Sequence, residues 1–360
     1  METILNTTKV FKGLIPGITL MMILVSSTSP VAAQVTEQAC LPPDANPSDQ
    51  ITEYTIPTAN SEPWGITAGP DGALWFGEGA NIGRIAIDGT FSEYPLLVAH
   101  TDLHFDPTAS EGLTSGPDGA IWFTDDIQNK IGRITTDGEI TEYAIPSGIE
   151  TQDLNYLTYT TSLPRGLVVG ADNALWFTER LTHKIGRITA DGEITEYPTP
   201  TLGSGPLGIA LGSDSALWFT EQGRKQIGRI TTDGEITEYP LPNPDGDGGP
   251  GVRIAAGSDG ALWFTEYNPP MIGRITTDGE ITEFALCPGT GPVGVTAGSD
   301  NAIWFTEYNG NRIGRITMAG EITEYVIPTP RSHPFSIVTG SDGALWFTEI
   351  GSSKIGRLQP

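Results

Sequence analysis

Histidine is the side chain best suited to move protons or bind a metal near neutral pH. This chain has four: His100, His104, His183 and His333. Two belong to an alternating run, His100-x-Asp102-x-His104-x-Asp106. Alternate residues of an extended segment share a side. His100, Asp102 and His104, with Asp106 behind them, could therefore converge on a metal ion. A second set of candidates is acidic. Glu78, Asp125, Glu179, Glu221, Glu266, Glu307 and Glu349 each follow a Trp-Phe phrase. Brought into a ring, seven carboxylates could hold a divalent cation, or could be solvated or bonded to loop amides. The Asp245-Gly-Asp247-Gly stretch lacks the remaining ligands of a calcium loop and reads as a turn. The chain has no Gly-x-Ser-x-Gly elbow, no His-Glu-x-x-His, no phosphate-binding loop and no dinucleotide fingerprint.

What must position these residues is a repeat. The Trp-Phe pair recurs at Trp75, Trp122, Trp176, Trp218, Trp263, Trp304 and Trp346, at spacings of 47, 54, 42, 45, 41 and 42 residues. Each copy then carries an Ile-Gly-Arg phrase, ending at Arg84, Arg133, Arg187, Arg229, Arg274, Arg315 and Arg357. Four short β-prone runs per copy, separated by turn residues, predict one four-stranded blade. The whole predicts an all-β, seven-bladed propeller. Ile51-Thr52-Glu53-Tyr54 is an outermost strand with no first three strands before it. The last copy stops at its third strand. The N-terminal strand should therefore complete the seventh blade and close the ring. One domain, 51–360, results.

Asp137-Gly138 and its equivalents suit a two-residue type I′ hairpin. That register sets Arg133 opposite Glu142, and predicts that each Ile-Gly-Arg arginine pairs with Glu53, Glu93, Glu142, Glu196, Glu238, Glu283 or Glu324 across the strands. The tryptophans, one per blade at a fixed position, are expected to be packing between blades.

Residues 1–33 have the pattern of a secretory signal peptide: Lys9 and Lys12, an apolar run from Leu14 to Val25, then small residues ending at Ala33. Residues 34–50 are a Pro- and Asp-rich lead-in. Cleavage near Ala33 implies a secreted or periplasmic protein, in which Cys40 and Cys287 could form a disulfide. No segment is long enough to span a membrane. The full chain has a net charge of −25, and the stretch after Ala33, with 43 acidic and 17 basic residues, has −26. Such a surface disfavours nucleic acid.

The two turns that close each blade's hairpins lie on one face of the disc and barely vary. The second-to-third loops and the crossovers lie on the other face and differ in every copy, so ligand recognition is expected there. The first two crossovers are long, and all four histidines fall on this face. The residues opening the innermost strands, at the channel mouth, are Trp64, Glu111, Arg165, Leu207, Val252, Val293 and Phe335. Trp64 and Phe335, together with the polar exceptions Glu111 and Arg165, are candidate ligand contacts. Glu111 and Arg165 could instead pair with each other.

The G-x-D-G-x-L-W-F-T-E and N-x-I-G-R-I-T-x-x-G-x-I-T-E-Y phrases, over residues 51–358, resemble the streptogramin B lyase (virginiamycin B lyase) family. The resemblance implies a seven-bladed propeller and a Mg²⁺-dependent elimination that opens cyclic depsipeptide antibiotics. It places working histidines after the Pro that opens the inner strands of the last two blades, and a glutamate after the seventh Trp-Phe strand. Here those positions hold Val293 and Phe335, neither of which can be a base, and Glu349. His333 stands on the other side of Pro334. His333 and Glu349 are thus the catalytic candidates for a lyase. The alternatives are a monomeric propeller that binds a small molecule or peptide on its variable face without catalysis, and a lactonase-type metal hydrolase.

Overall fold

The turn at Thr135–Gly138 shows how one blade is built. In the computed structural model the Gly138 N–H donates to Thr135 O, and the Thr135 N–H donates to Glu139 O. Gly138 alone of the Asp-Gly pair takes positive φ, at 94°. This is a turn with a glycine bulge, not a two-residue type I′ turn. The extra residue moves the register by one. Gly132 faces Glu142 and Arg133 faces Thr141, and the same shift holds in every blade. The expected pairing of these arginines with the outermost-strand glutamates is therefore incorrect.

The structure describes residues 48–79, 81–96, 112–152, 158–242 and 250–360. The expected signal peptide, Cys40 and the His100–Asp106 run lie outside them. Seven four-stranded antiparallel sheets follow one another in order. Blade 1 uses Pro63–Ala68, Leu74–Glu78, Asn81–Ile85 and Phe91–Pro95, from innermost to outermost. Blade 7 uses Pro334–Thr339, Leu345–Glu349 and Lys354–Leu358, and takes Ile51–Thr55 as its outermost strand. Ile51 pairs with Leu358 and Thr55 with Lys354, so the ring closes as expected. A two-stranded hairpin, Ile149–Gln152 with Thr158–Thr161, is inserted in the crossover after blade 2. No helix among the described residues is long and apolar enough to cross a membrane.

Each arginine instead reaches an aspartate of its own blade's first turn. Arg84 Nε lies 2.7 Å from Asp71 Oδ2, while Trp75 Nε1 donates to Asp71 Oδ1 at 3.0 Å. The same Trp–Asp–Arg unit recurs at Asp118, Asp172, Asp214, Asp259, Asp300 and Asp342. A buried indole needs a partner for its N–H; the Gly-x-Asp turn supplies it.

The seven tryptophans of the Trp-Phe phrases are fully buried. Each stacks on the outermost-strand ring of its own blade, Trp75 on Tyr94 at 5.3 Å and Trp346 on Tyr54 at 5.6 Å. That ring then lies against the bulge glycine of the next blade. A Cβ on Gly138 would stand 2.6 Å from Tyr94, and one on Gly89 would stand 2.7 Å from Tyr54. Glycine is thus required there twice, by its backbone and by its neighbour.

Candidate ligand-binding face

On the variable face, the residue before each strand-opening proline turns the chain inward. It takes positive φ at Glu62 (46°), Leu163 (56°), Gly205 (57°), Gly291 (61°) and His333 (49°). The residue after the proline points into the molecule. Trp64, Val293 and Phe335 are buried and pack on one another, with Tyr308 and Ile350 against them. Trp64 and Phe335 meet edge to face at 4.9 Å. Sequence reasoning looked to the residue after the proline for ligand contacts; in blades 1 and 7 it is the residue before, Glu62 and His333, that keeps access to solvent.

Arg165 is also buried, at 1% exposure, and its Nη1 lies 3.3 Å from Asp126 Oδ2 in the loop of blade 2. It ties two neighbouring blades. Glu111 lies outside the described residues.

Glu349 has no solvent exposure. It pairs across the sheet with Pro334 on one side and Lys354 on the other, and its Oε2 accepts from Ser352 Oγ at 2.8 Å. The backbone brings it near His333, whose carbonyl accepts from the Ile350 N–H. Burial, then the neighbouring Glu53 carboxylate, push the Glu349 carboxyl up to about 8. It is one of a set. Glu78, Glu221, Glu266 and Glu307 are pushed to about 8 and Glu179 to about 7, by burial first and with the outermost-strand glutamate of the same blade adding to it. All seven carboxylates of this ring are buried rather than open to bulk solvent. The six glutamates each lie beside a second carboxylate of their own blade, and Asp125 accepts from the loop N–H of Gln128 at 2.8 Å.

The outermost-strand glutamates are themselves clamped. Glu93 accepts from the N–H and hydroxyl of Thr58, Glu196 from Ser147, and Glu238 from Thr201. Every donor sits in the crossover leaving the preceding blade. The Ile-Pro-Thr or Ile-Pro-Ser phrase at Ile56, Ile145 and Ile327 was the available signal. Lys130, Lys184 and Lys354 add ion pairs to Glu142, Glu196 and Glu53.

His183 has a structural task. Its Nδ1 accepts the Gly205 N–H at 3.2 Å. Asn129 and Asn311, at the same loop position, use Oδ1 to accept from Ser162 and Ser332. His183→Asn should therefore melt like the parent, whereas His183→Ala should lose roughly 1 kcal/mol by leaving that N–H unpaired. Denaturant titration of both variants checks this; equal losses would contradict it.

The remaining polar and aromatic groups gather at blades 5, 6, 7 and 1. Tyr308 stacks on His333 with ring centroids 4.6 Å apart, and His333 Nδ1 lies 3.3 Å from the Tyr308 carbonyl oxygen. A carbonyl only accepts, so Nδ1 donates here, and in the neutral ring the lone pair then lies on Nε2. Tyr267 is 42% exposed and accepts from Asn309 Nδ2 at 2.8 Å. Gly291 permits this placement, since a Cβ there would meet the Tyr267 ring at 2.8 Å. Burial raises the Tyr308 hydroxyl above its usual range, and Tyr267 and Glu62 raise it further. The Glu-Tyr-Asn phrase, present in these two loops, marks the patch in the sequence.

Among the described residues no group of three His, Cys, Asp or Glu side chains is placed to hold a metal ion. His100, Asp102 and His104 lie outside the described residues. Cys287 is disulfide-bonded.

The fold and this face define a seven-bladed propeller with a constant turn side and an aromatic patch among its variable loops. The chain belongs to the virginiamycin B lyase family, whose model matches residues 44–151 and 148–360. Virginiamycin B lyase of Nocardia farcinica is 34% identical over 156 residues, covering 41% of this chain. The match spans about half that relative's length, 46%. The virginiamycin B lyase structure from Staphylococcus aureus is 41% identical, with a TM-score of 0.75, over 86% of this chain and 99% of that one. The same enzyme has been solved as a catalytically inactive histidine-to-alanine variant with quinupristin, at the same identity, TM-score and coverage.

Proposed function

We propose that this protein is an exported, monomeric, ligand-binding member of the family that does not carry out the eliminative ring opening. The observation that carries this is the burial of Val293 and Phe335 against Trp64, at the positions where the resemblance places the working histidines. Elimination needs a base within hydrogen-bond reach of the proton it removes. Neither side chain has a lone pair. Glu349 is buried and holds its proton at neutral pH. The ligand is a small molecule or peptide seated on the Tyr267–Tyr308–His333 patch.

A second reading rests on the free lone pair of His333 Nε2, which could serve a lyase reaction from the other side of Pro334. Incubation of the purified protein with quinupristin, with and without Mg²⁺, separates the two readings. Elimination opens the ring at unchanged mass, and hydrolysis adds one water. We expect no product. A product of unchanged mass that disappears in His333→Ala would overturn the binding reading in favour of the lyase, and a heavier product would favour a hydrolase.

A further inference from the structure

We infer that the patch selects a protonated amine carried on an apolar or aromatic body, with Glu62 as its counter-charge. This deepens the ligand-binding reading above and rests on it. The outermost-strand glutamates Glu93, Glu196 and Glu238 are each clamped by a crossover hydroxyl and N–H. Glu62 differs. It is exposed, and it has no ion-pair partner among the described residues. Its left-handed backbone, between buried Ser61 and Pro63, fixes where the carboxylate leaves the chain. Trp64, two residues on, anchors the same strand in the apolar cluster that Tyr308 joins. Glu62 and Tyr308 are close enough to interact electrostatically, and Tyr267 interacts with Tyr308 in turn.

An exposed carboxylate near the Tyr308 phenol, with the exposed Tyr267 ring on the far side of Tyr308 and an apolar cluster beneath, is the chemistry that holds an alkylammonium group. The rings attract the cation through their faces, and the carboxylate neutralises it. The apolar body of the ligand would meet Tyr308 and Ile350, the half-buried members of the cluster. The chain's charge of −25 adds a long-range attraction for cations and disfavours anions. A carboxylate-bearing ligand of equal size should be rejected.

The test uses benzylamine and benzyl alcohol, which share a ring and differ in charge. Binding to the full exported chain is followed by saturation-transfer NMR. Benzylamine is expected to bind about fivefold or more tightly than benzyl alcohol. Glu62→Gln should abolish that preference while melting like the parent, since the side chain is exposed. Tyr267→Leu should weaken both ligands. Equal affinity for the two in the parent, or a preference that survives Glu62→Gln, would overturn the amine proposal and leave the ligand-binding reading standing. Failure of both ligands to bind would overturn both.

Discussion

Thermal unfolding is expected to shift down by roughly 10–20 °C as the pH is raised from 5 to 9. The cause is the set of buried carboxyls at Glu78, Glu179, Glu221, Glu266, Glu307 and Glu349. Their folded pKa values, about 7 to 8, lie above the ordinary 4.5. The folded state therefore binds more protons than the unfolded one across that interval. Their contribution is complete below about pH 4.5 and is lost as the pH rises through 7 and 8. If folding tightened proton binding only tenfold at each of these six carboxyls, the sum would be about 8 kcal/mol, comparable with the whole stability of a domain. Glu307→Gln removes one ionisation and should make the decline shallower. A melting temperature that stays flat from pH 5 to 9 would refute this account. The opposite limb comes from the Trp–Asp–Arg units. Burial works against ionisation of Asp71 and its equivalents, but bonds from the indole and guanidinium outweigh it and lower the pKa. Their contribution is present above about 3.8 and lost below it. Stability should thus peak in mildly acidic solution.

Deleting Ile51–Thr55 should have an effect of similar size. It would leave blade 7 with three strands and expose Lys354–Leu358 as an open edge. It would also remove Tyr54 from between Trp346 and Gly89, where its ring staples blade 7 to blade 1. Tyr54→Ala alone should cost about 2–4 kcal/mol. The deletion should abolish the single cooperative transition, and a peptide covering residues 49–57, added to the truncated protein, should restore part of it. Calorimetry decides the matter. A truncated protein that melts as the intact one does would show that closure is not what holds the ring.

Blade number, blade order and the closing strand were legible because each blade repeats one hydrophobic pattern and the two incomplete repeats complement one another. The register of the third and fourth strands was not. Asp137-Gly138 suits both a two-residue turn and a bulged turn, and in the folded blade Gly138 packs under Tyr94 of the neighbouring blade. That contact is remote in sequence. The error passed to the arginines, whose true partner, Asp118 for Arg133, stands 15 positions away in the same blade. At the site, sequence reasoning found Trp64, Phe335, His333 and Glu349 as positions but not their surroundings. Burial of Glu349 follows from its neighbours in three other strands, Pro334, Lys354 and Glu53, the last almost 300 positions away in sequence. Glu62 was missed because it reaches Tyr308 only when blade 1 returns beside blade 7, and Tyr267 and Tyr308 because their shared Glu-Tyr-Asn phrase has no catalytic signature.

The pairing of Ile51 with Leu358 has a consequence for biosynthesis. The strand that closes the ring is made before all six intervening blades, and its partner only after them. Six blades can form as they emerge, but the seventh must wait, and the opening strand must stay unpaired while they do. A nascent chain of this kind stays open along one seam until the seventh blade has been translated. Over that interval a chaperone could hold it unfolded without having to break a finished ring.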